Sequence, residues 1–461
     1  MRETLTMSEK FRVFIRLTFP VIMTQFSQLA GTFIAIVLTG QYSTVDLAGI
    51  SIGYNIWIAM FLGFSGILLG LAPIIAHLLG AKSTESIPHQ ICQGLYLATG
   101  IGVFLLVLGL LFLAPILRFL NLEPAAYDVA IVYMIAIGFA VFPMMWSCVM
   151  RCLVDCHGYT HYSMMIMISS FVLGVVLNYM LILGNWGAPA LGGLGAGIAT
   201  AICLWYQLVC YVVIAVRAKA FRDYKVFSHF TKPNMHIIKE QVRLGVPIGL
   251  AIFAEMSIFS VAGLVMAHYG TEVIAAHQAA ISFTNLFYCF PLSISIASTI
   301  AVGYEVGAKR YLDARQYTVI ARVLAVVIAL LICMYSFTHL REIAGYYTKD
   351  PGMVQLIMNF LSYAVFFTVI DAFGTPIQGI LRAYKDVKSV SIIAIGCYWA
   401  LSLPFALLYT VVLHHGPYGI WLALLSAVTA SCNALSLACQ VDHSVWANRL
   451  PNCWASIFSA K

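Results

Sequence analysis

The sequence predicts an all-α integral membrane protein, with twelve transmembrane helices in two parallel six-helix lobes related by a pseudo-two-fold axis along the membrane normal. Composition, long apolar runs and a weak internal repeat all point to it. Of 461 residues, 62% are hydrophobic and only 9% charged, a balance that belongs to membrane proteins rather than soluble domains. Apolar runs recur near 14–39, 47–71, 92–117, 127–150, 161–184, 193–216, 245–267, 275–302, 317–338, 354–380, 389–412 and 418–440. About twenty residues suffice to cross ~30 Å of hydrocarbon at 1.5 Å per residue. The first run is itself long enough to span, so it reads as helix one and not as a removable signal.

Twelve spans put both termini on one side, and the basic residues say which. With the termini inside, Arg118, Arg341 and Lys349 are the three of 25 basic residues that fall outside. The positive-inside rule therefore places both termini in the cytoplasm. The net charge of +7 needs no nucleic-acid partner. The richest inner segment, with Arg217, Lys219, Arg222, Lys225, Lys232, Lys239 and Arg243, is read as a topology signal.

Sliding the sequence over itself by 227 positions lays Arg16-Leu17-Thr18-Phe19-Pro20 on Arg243-Leu244-Gly245-Val246-Pro247. In the same register Phe26 meets Phe253, Tyr42 meets Tyr269, Thr44 meets Thr271 and Gln28 meets Glu255. Such self-similarity marks a duplicated bundle. Six spans per copy is an even number, so both copies enter the membrane in the same sense. The expected organisation is a first lobe over 1–216, a basic cytoplasmic linker over 217–243, a second lobe over 244–440 and a tail over 441–461. Two lobes around a central cavity suit alternating access.

Sixteen of the 18 acidic residues fall at loops, span ends or termini, and only Glu255 and Asp371 lie well inside a run. A carboxylate at mid-bilayer costs about 2.5–3.5 kcal/mol on insertion scales, so one that persists faces a cavity, a partner or an ion. Glu255 lies eleven residues from Leu244, and Asp371 ten from Leu381, at the inner ends of their runs. At 1.5 Å per residue both sit roughly 15–17 Å from the same face. No basic residue shares that depth, so the pair is expected to hold a proton or bind a cation. The bland alternative is a pair of interhelical hydrogen bonds. Gly374 and Pro376 are expected to loosen the tenth span beside Asp371, or to kink it.

Other signals are weaker. Twelve cysteines lie mostly inside apolar runs and read as small core residues. Cys152, Cys156, His157 and His161 lack a strong ligand spacing. Gly192-Gly193-Leu194-Gly195-Ala196-Gly197 opens a membrane helix and follows no strand, so capping and close packing explain it better than a nucleotide loop. His77, His268 and His277 read as interfacial. Phe253, Phe259, Phe283, Phe287, Tyr288, Phe366 and Phe367 either line a cavity for flat apolar cations or face lipid and core.

Several stretches together resemble the multidrug and toxic compound extrusion (MATE) transporters, and within them the bacterial NorM-type branch. They are Gly80-Ala81, Gln93-Gly94-Leu95, Pro189-Ala190-Leu191-Gly192-Gly193 through Gly197-Ile198-Ala199-Thr200, His277-Gln278 through Pro291-Leu292-Ser293, Val306-Gly307-Ala308 and Leu381-Arg382-Ala383-Tyr384-Lys385-Asp386. Each is loose; in this order they cover nearly the whole chain. The resemblance implies export of cationic amphipathic drugs by antiport against Na⁺ or H⁺, with Glu255 and Asp371 as the cation-binding acids. Asn178, Thr200, Gln28, Asn285 and Phe367 are further candidate contacts to substrate or polar groups. Related transporters carry a tyrosine where this chain has Phe367, and often an aspartate where it has Ala35, which favours coupling through the second lobe. The expected partners are small cationic molecules and the lipid bilayer, for a monomer of the bacterial inner membrane with no cofactor beyond the coupling ion. A flippase for a lipid-linked or polar precursor is the alternative; it would want basic residues inside the cavity, and no Arg or Lys falls mid-run. An enzyme would need a nucleophile with its base, or a metal cluster, at one depth, and neither is present.

Overall fold

The computed structural model describes residues 6–119, 123–222, 224 and 231–448, and these contain helices and no strand. In chain order the helices are α1 (Met7–Tyr42), α2 (Thr44–Leu69), α3 (Leu71–Gly80), α4 (Ile87–Phe119), α5 (Pro124–Gly138), α6 (Val141–Cys156), α7 (Thr160–Leu183), α8 (Gly192–Arg217), α9 (Lys219–Arg222), α10 (Met235–Met266), α11 (Thr271–Gly307), α12 (Tyr311–Thr338), α13 (Leu340–Tyr347), α14 (Pro351–Ala383), α15 (Val387–Ile395), α16 (Ser402–Leu407) and α17 (Tyr418–Asn448). Helix is the answer hydrocarbon demands, because every backbone N–H and C=O must be satisfied within the segment. Among the described residues eleven runs are long and apolar enough to cross a membrane, with α2 and α3 forming one of them. The pair α5 and α6, bent by 47°, makes the twelfth. Each predicted span falls on one of these.

The internal repeat is visible in the backbone. Lys82 and Lys309, 227 positions apart, both adopt positive φ (59° and 60°), as do Gly158 and Lys385 (84° and 63°) at the same separation. Around each, two hydrogen bonds close the preceding helix in the same way. One set is Lys82 N–H to Leu79 O and Ser83 N–H to Leu78 O, and its repeat is Lys309 to Val306 and Arg310 to Glu305. The other is Gly158 to Asp155 and Tyr159 to Val154, with its repeat Lys385 to Arg382 and Asp386 to Leu381. This is the Schellman closure, which needs one left-handed residue. Three of the four are lysines, whose charge complements the helix C-terminal dipole while the conformation itself costs about 1–2 kcal/mol.

The helices gather into two compact units. One takes Arg16–Leu78 and Ser83–Phe253; the other takes the described parts of Met1–Ile15, Leu79–Lys82 and Ala254–Lys461. Inside the first, α2 and the N-terminal half of α10 approach through glycines. A Cβ on Gly66 would lie 2.7 Å from the Gly249 Cα, one on Gly70 would lie 2.7 Å from the Gly245 nitrogen, and one on Gly249 would lie 2.5 Å from the Gly63 carbonyl oxygen. Gly66 and Gly70, like Gly245 and Gly249, are four residues apart, the small-xxx-small spacing that lets membrane helices touch backbone to backbone. The glycine-rich opening of α8 serves packing too, as expected. The Gly193 N–H donates to Asp46 Oδ2 at 2.6 Å, and a Cβ on Gly197 would sit 2.8 Å from that of Ala136. In the second unit Lys10 is buried and ion-paired with Asp313, which ties the first turns of α1 to α12.

His157 closes α6, and its two ring nitrogens meet the Leu153 carbonyl at 2.7 Å and the Tyr224 hydroxyl at 2.8 Å. Burial pushes its pKa down to about 4, so it is a neutral hydrogen-bonding group at pH 7. Its ring also packs edge-on against Phe221 of α9 and against Tyr224, with centroids 5.1 and 5.3 Å away.

Two predictions follow from backbone geometry. Gly249→Leu forces α2 and α10 apart and is expected to destabilise the protein by at least ~2 kcal/mol, read as lost folded yield in detergent and a lower Tm than Gly249→Ala. Lys309→Gly relieves the left-handed strain and is expected to raise stability by about 1 kcal/mol; a Tm below wild type would contradict this.

Candidate functional site

Both mid-span carboxylates belong to the second unit, and both are buried, Glu255 at 5% exposure and Asp371 at 4%. Glu255 stands on α10 and Asp371 on α14. The Tyr288 hydroxyl, from α11, donates to Glu255 Oε1 at 3.3 Å. The Gln378 side chain, from α14, also lies near enough to act on Glu255. Asp371 Oδ1 accepts from the Thr375 hydroxyl at 3.0 Å, one turn along its own helix. The two carboxylates are close enough to repel each other directly, and Tyr398 lies within electrostatic reach of both.

The expectation that the pair has no internal counter-ion needs correction. Arg382, in the last turn of α14, is only 8% exposed and is close enough to attract Glu255. Its Nη2 donates to Gln378 Oε1 at 3.2 Å, while its Nε has no partner. Linear distance along the helix put Arg382 at the cytoplasmic end, where a basic residue is normally a topology marker. A guanidinium on a three-carbon stem reaches well over a helical turn, and here it points back toward the carboxylates.

Close helix approach builds this arrangement. A Cβ on Gly379 would lie 2.6 Å from the Ser295 Oγ, so α11 and α14 can touch there only because residue 379 is glycine. The Thr299 hydroxyl donates to the Gly379 carbonyl at 2.9 Å. Gly374, one turn earlier, leaves room for Cys432 of α17, whose Sγ would be 2.6 Å from a Cβ there. Pro376 does not interrupt α14, which runs from Pro351 to Ala383, although its missing N–H leaves the Ala372 carbonyl without its helical donor. On the far side the chain widens into π-helix at Gly396–Leu401. That turn carries Tyr398 to the carboxylates and Trp399 to α10, where the indole donates to the Ala254 carbonyl at 3.3 Å and the Ser257 hydroxyl at 3.2 Å. Single-turn π segments are frequent at functional sites.

The other candidates are scattered. Phe367 is buried and packs edge-on against Phe259, with centroids 5.5 Å apart, and against Trp421 at 6.3 Å. Asn285 is exposed on α11. Gln28, Asn178 and Thr200 belong to the first unit. Gln28 is exposed, Asn178 donates to the Gly174 carbonyl of its own helix at 2.8 Å, and the Thr200 hydroxyl donates to Ala196 at 2.9 Å. His277 is not interfacial as expected: it is fully buried, and its Nδ1 accepts from the Trp421 indole at 3.2 Å. Tyr288, Gln378, Arg382 and Tyr398 were not singled out as ligands or counter-charges from sequence. Gln378, seven residues beyond Asp371, carries the one available signal, an amide two turns along the helix face that holds the acid.

Comparison with known proteins matches this chain to the MatE family over residues 20–180 and again over 247–408. The two matches begin 227 residues apart, the spacing of the internal repeat. The probable multidrug resistance protein NorM of Oceanobacillus iheyensis is 39% identical over 435 residues, covering 94% of this chain and 97% of that one. Its namesake in Halalkalibacterium halodurans is 39% identical over 436 residues, covering 95% of each. Among solved structures, the Vibrio cholerae MATE transporter VcmN in its bent form superposes with a TM-score of 0.84 at 18% identity, covering 95% of this chain and 98% of that one. With two copies of the family domain in register with its own repeat, and relatives alike along nearly their whole length, the chain belongs to the MatE family.

Proposed function

We propose that this protein exports cationic amphipathic drugs and other toxic compounds across the bacterial inner membrane, in exchange for Na⁺ or H⁺ taken up at Glu255 and Asp371, by alternating access of two lobes. The observation that carries the reading is the pair of mutually repelling, buried carboxylates on α10 and α14, in a chain whose relatives are named as multidrug resistance proteins. Two acids in one low-dielectric site cannot both stay ionised and unpaired, so binding a cation or proton changes the energy of the site. Such a ligand drives a conformational change only by its differential affinity for the two states. A site that is desolvated in one state and reached by water in the other supplies that difference.

The lobes proposed are 1–216 and 244–440, joined by the basic segment 217–243, with both termini in the cytoplasm. The repeated family match supports the division, and the distribution of basic residues supports the orientation. The flippase reading gains little from Arg382, because its guanidinium donates to Gln378 and its charge acts on Glu255. The protein is proposed to act as a transporter without catalytic chemistry and without a bound cofactor.

Asp371→Asn, which keeps the shape of the side chain and removes its charge, is expected to lower efflux of a cationic dye from cells at least ~10-fold at equal expression; efflux equal to wild type would remove this carboxylate from the mechanism. Purified protein in liposomes, given Na⁺ and pH gradients separately, is expected to export dye under one of them, and export driven by neither would defeat cation coupling. Tyr288→Phe deletes one neutral hydrogen bond to Glu255 and is expected to change the half-saturating concentration of the driving cation by about 3–10-fold, with folded yield near wild type.

A further inference from the structure

The exchange of cations at Glu255 and Asp371 does not by itself call for a buried arginine. Arg382 nevertheless lies on α14, two turns past Gln378's neighbour Thr375, with its side chain almost wholly buried. Its Nη2 donates to Gln378 Oε1 at 3.2 Å, and Gln378 lies near enough to Glu255 to act on it as a polar neighbour. A carboxamide has one accepting end and one donating end. With its oxygen held by the guanidinium, Gln378 can offer Glu255 only its NH₂. The amide is thereby prevented from flipping, which would turn an oxygen toward a carboxylate. Tyr288 adds a second donor to the same carboxylate. Asp371 has no comparable support: its hydrogen bond comes from the neutral hydroxyl of Thr375, and the charged group acting on it is Glu255.

We propose that Arg382 is the fixed counter-charge of the carboxylate pair and, by orienting Gln378, the positioning residue for Glu255, so that the pair presents one net negative charge, not two, to the coupling cation. The proposal rests on the reading of Glu255 and Asp371 as the cation site and deepens it. A guanidinium stays protonated at any pH the cell meets, so its charge is a constant of the site. Glu255 is then the carboxylate whose charge is already answered by the protein, and Asp371 is the one left for the transported ion. One monovalent cation completes the neutralisation.

The test uses full-length protein in liposomes, with dye export measured against Na⁺ concentration at fixed pH and against pH without Na⁺. Arg382→Gln restores a second uncompensated charge, and the half-saturating concentration of the driving cation is expected to fall about tenfold or more, the order that one unit charge exerts at an effective dielectric of ~20. Arg382→Lys keeps the charge and is expected to stay within about threefold of wild type. Should Arg382→Gln fail to fold, the double variant Arg382→Gln/Glu255→Gln, which removes both charges, is expected to recover the folded yield. Half-saturation in Arg382→Gln equal to wild type, or a folding loss that Glu255→Gln does not recover, would overturn the proposal. Asp371→Asn separates the two levels. If it retains cation-driven export, the cation site itself has been misassigned. If it loses export while Arg382→Gln leaves half-saturation unchanged, only the counter-charge is wrong.

Discussion

Glu255 sets the terms for the second unit, because a carboxylate removed from water must be given donors by the protein. Desolvating an unpaired charge costs several kcal/mol even after relaxation, and the helices around α10 are arranged so that it is not unpaired. Tyr288 comes from α11, Gln378 and Arg382 from α14, and Trp399, from the π-helical turn, bonds the Ala254 carbonyl just before the acid. Three neighbouring elements thus converge on two consecutive residues of α10. Asp371 is placed differently, on a helix that donates to it from its own next turn. The two acids share a site but not an environment: groups from neighbouring helices act on Glu255, while Asp371 takes its hydrogen bond from its own helix.

What allows the convergence is the absence of side chains. Tyr288 and Gln378 can both reach Glu255 because α11 and α14 are drawn together at Gly379, where the Ser295 hydroxyl occupies the space a Cβ would need. Without a hydrophobic driving force between helices in lipid, such backbone contact is a main source of association energy. The glycines of α2 and α10 do the same in the first unit. Glycine in these helices is therefore a distance setting. It fixes the interaxial separation to a few tenths of an ångström, and a hydrogen bond near 3 Å requires that accuracy.

The sequence carried the fold in plain view. Twelve apolar runs, the charge asymmetry of the inner segments and the 227-residue register each rest on a strong constraint: the hydrocarbon thickness, the cost of moving lysine and arginine across it, and the retention of ancestral turns at Lys82 and Lys309. The two acids were legible for the same reason, since a charge in an apolar run stands out against its surroundings. Arg382, Gln378, Tyr288 and Tyr398 did not stand out. An arginine near a cytoplasmic helix end is common, a tyrosine in a membrane helix is common, and nothing in a linear pattern tells which way a long side chain turns. His277 was misplaced for a related reason: its position near a span end suggested water, but Trp421 of another helix covers it. Sequence reveals what is costly in one dimension, and partners chosen in three dimensions leave no such trace.

The first unit holds buried polar groups as well, yet their duties are already assigned. Asp46 accepts from the Gly193 N–H and so caps α8, a use that exploits the positive end of the helix dipole. Asp155 is paired with Arg151 at 3.2 Å and accepts from the Ser163 hydroxyl at 2.5 Å. Asn178 turns its amide to its own helix, and the residue that the repeat sets opposite Glu255 is the neutral Gln28. Each acid of the first unit named here is thus satisfied by a local partner whose removal would leave a helix end or a cation uncompensated. Exchange requires the opposite condition, an acid whose partner can leave without unmaking the fold. Asp371, with the Thr375 hydroxyl as its hydrogen-bond partner and a like charge beside it, is the acid to which the proposed exchange assigns that condition. Duplication gave both halves the same scaffold, and at the position the repeat shares between Gln28 and Glu255 only the second half carries a carboxylate.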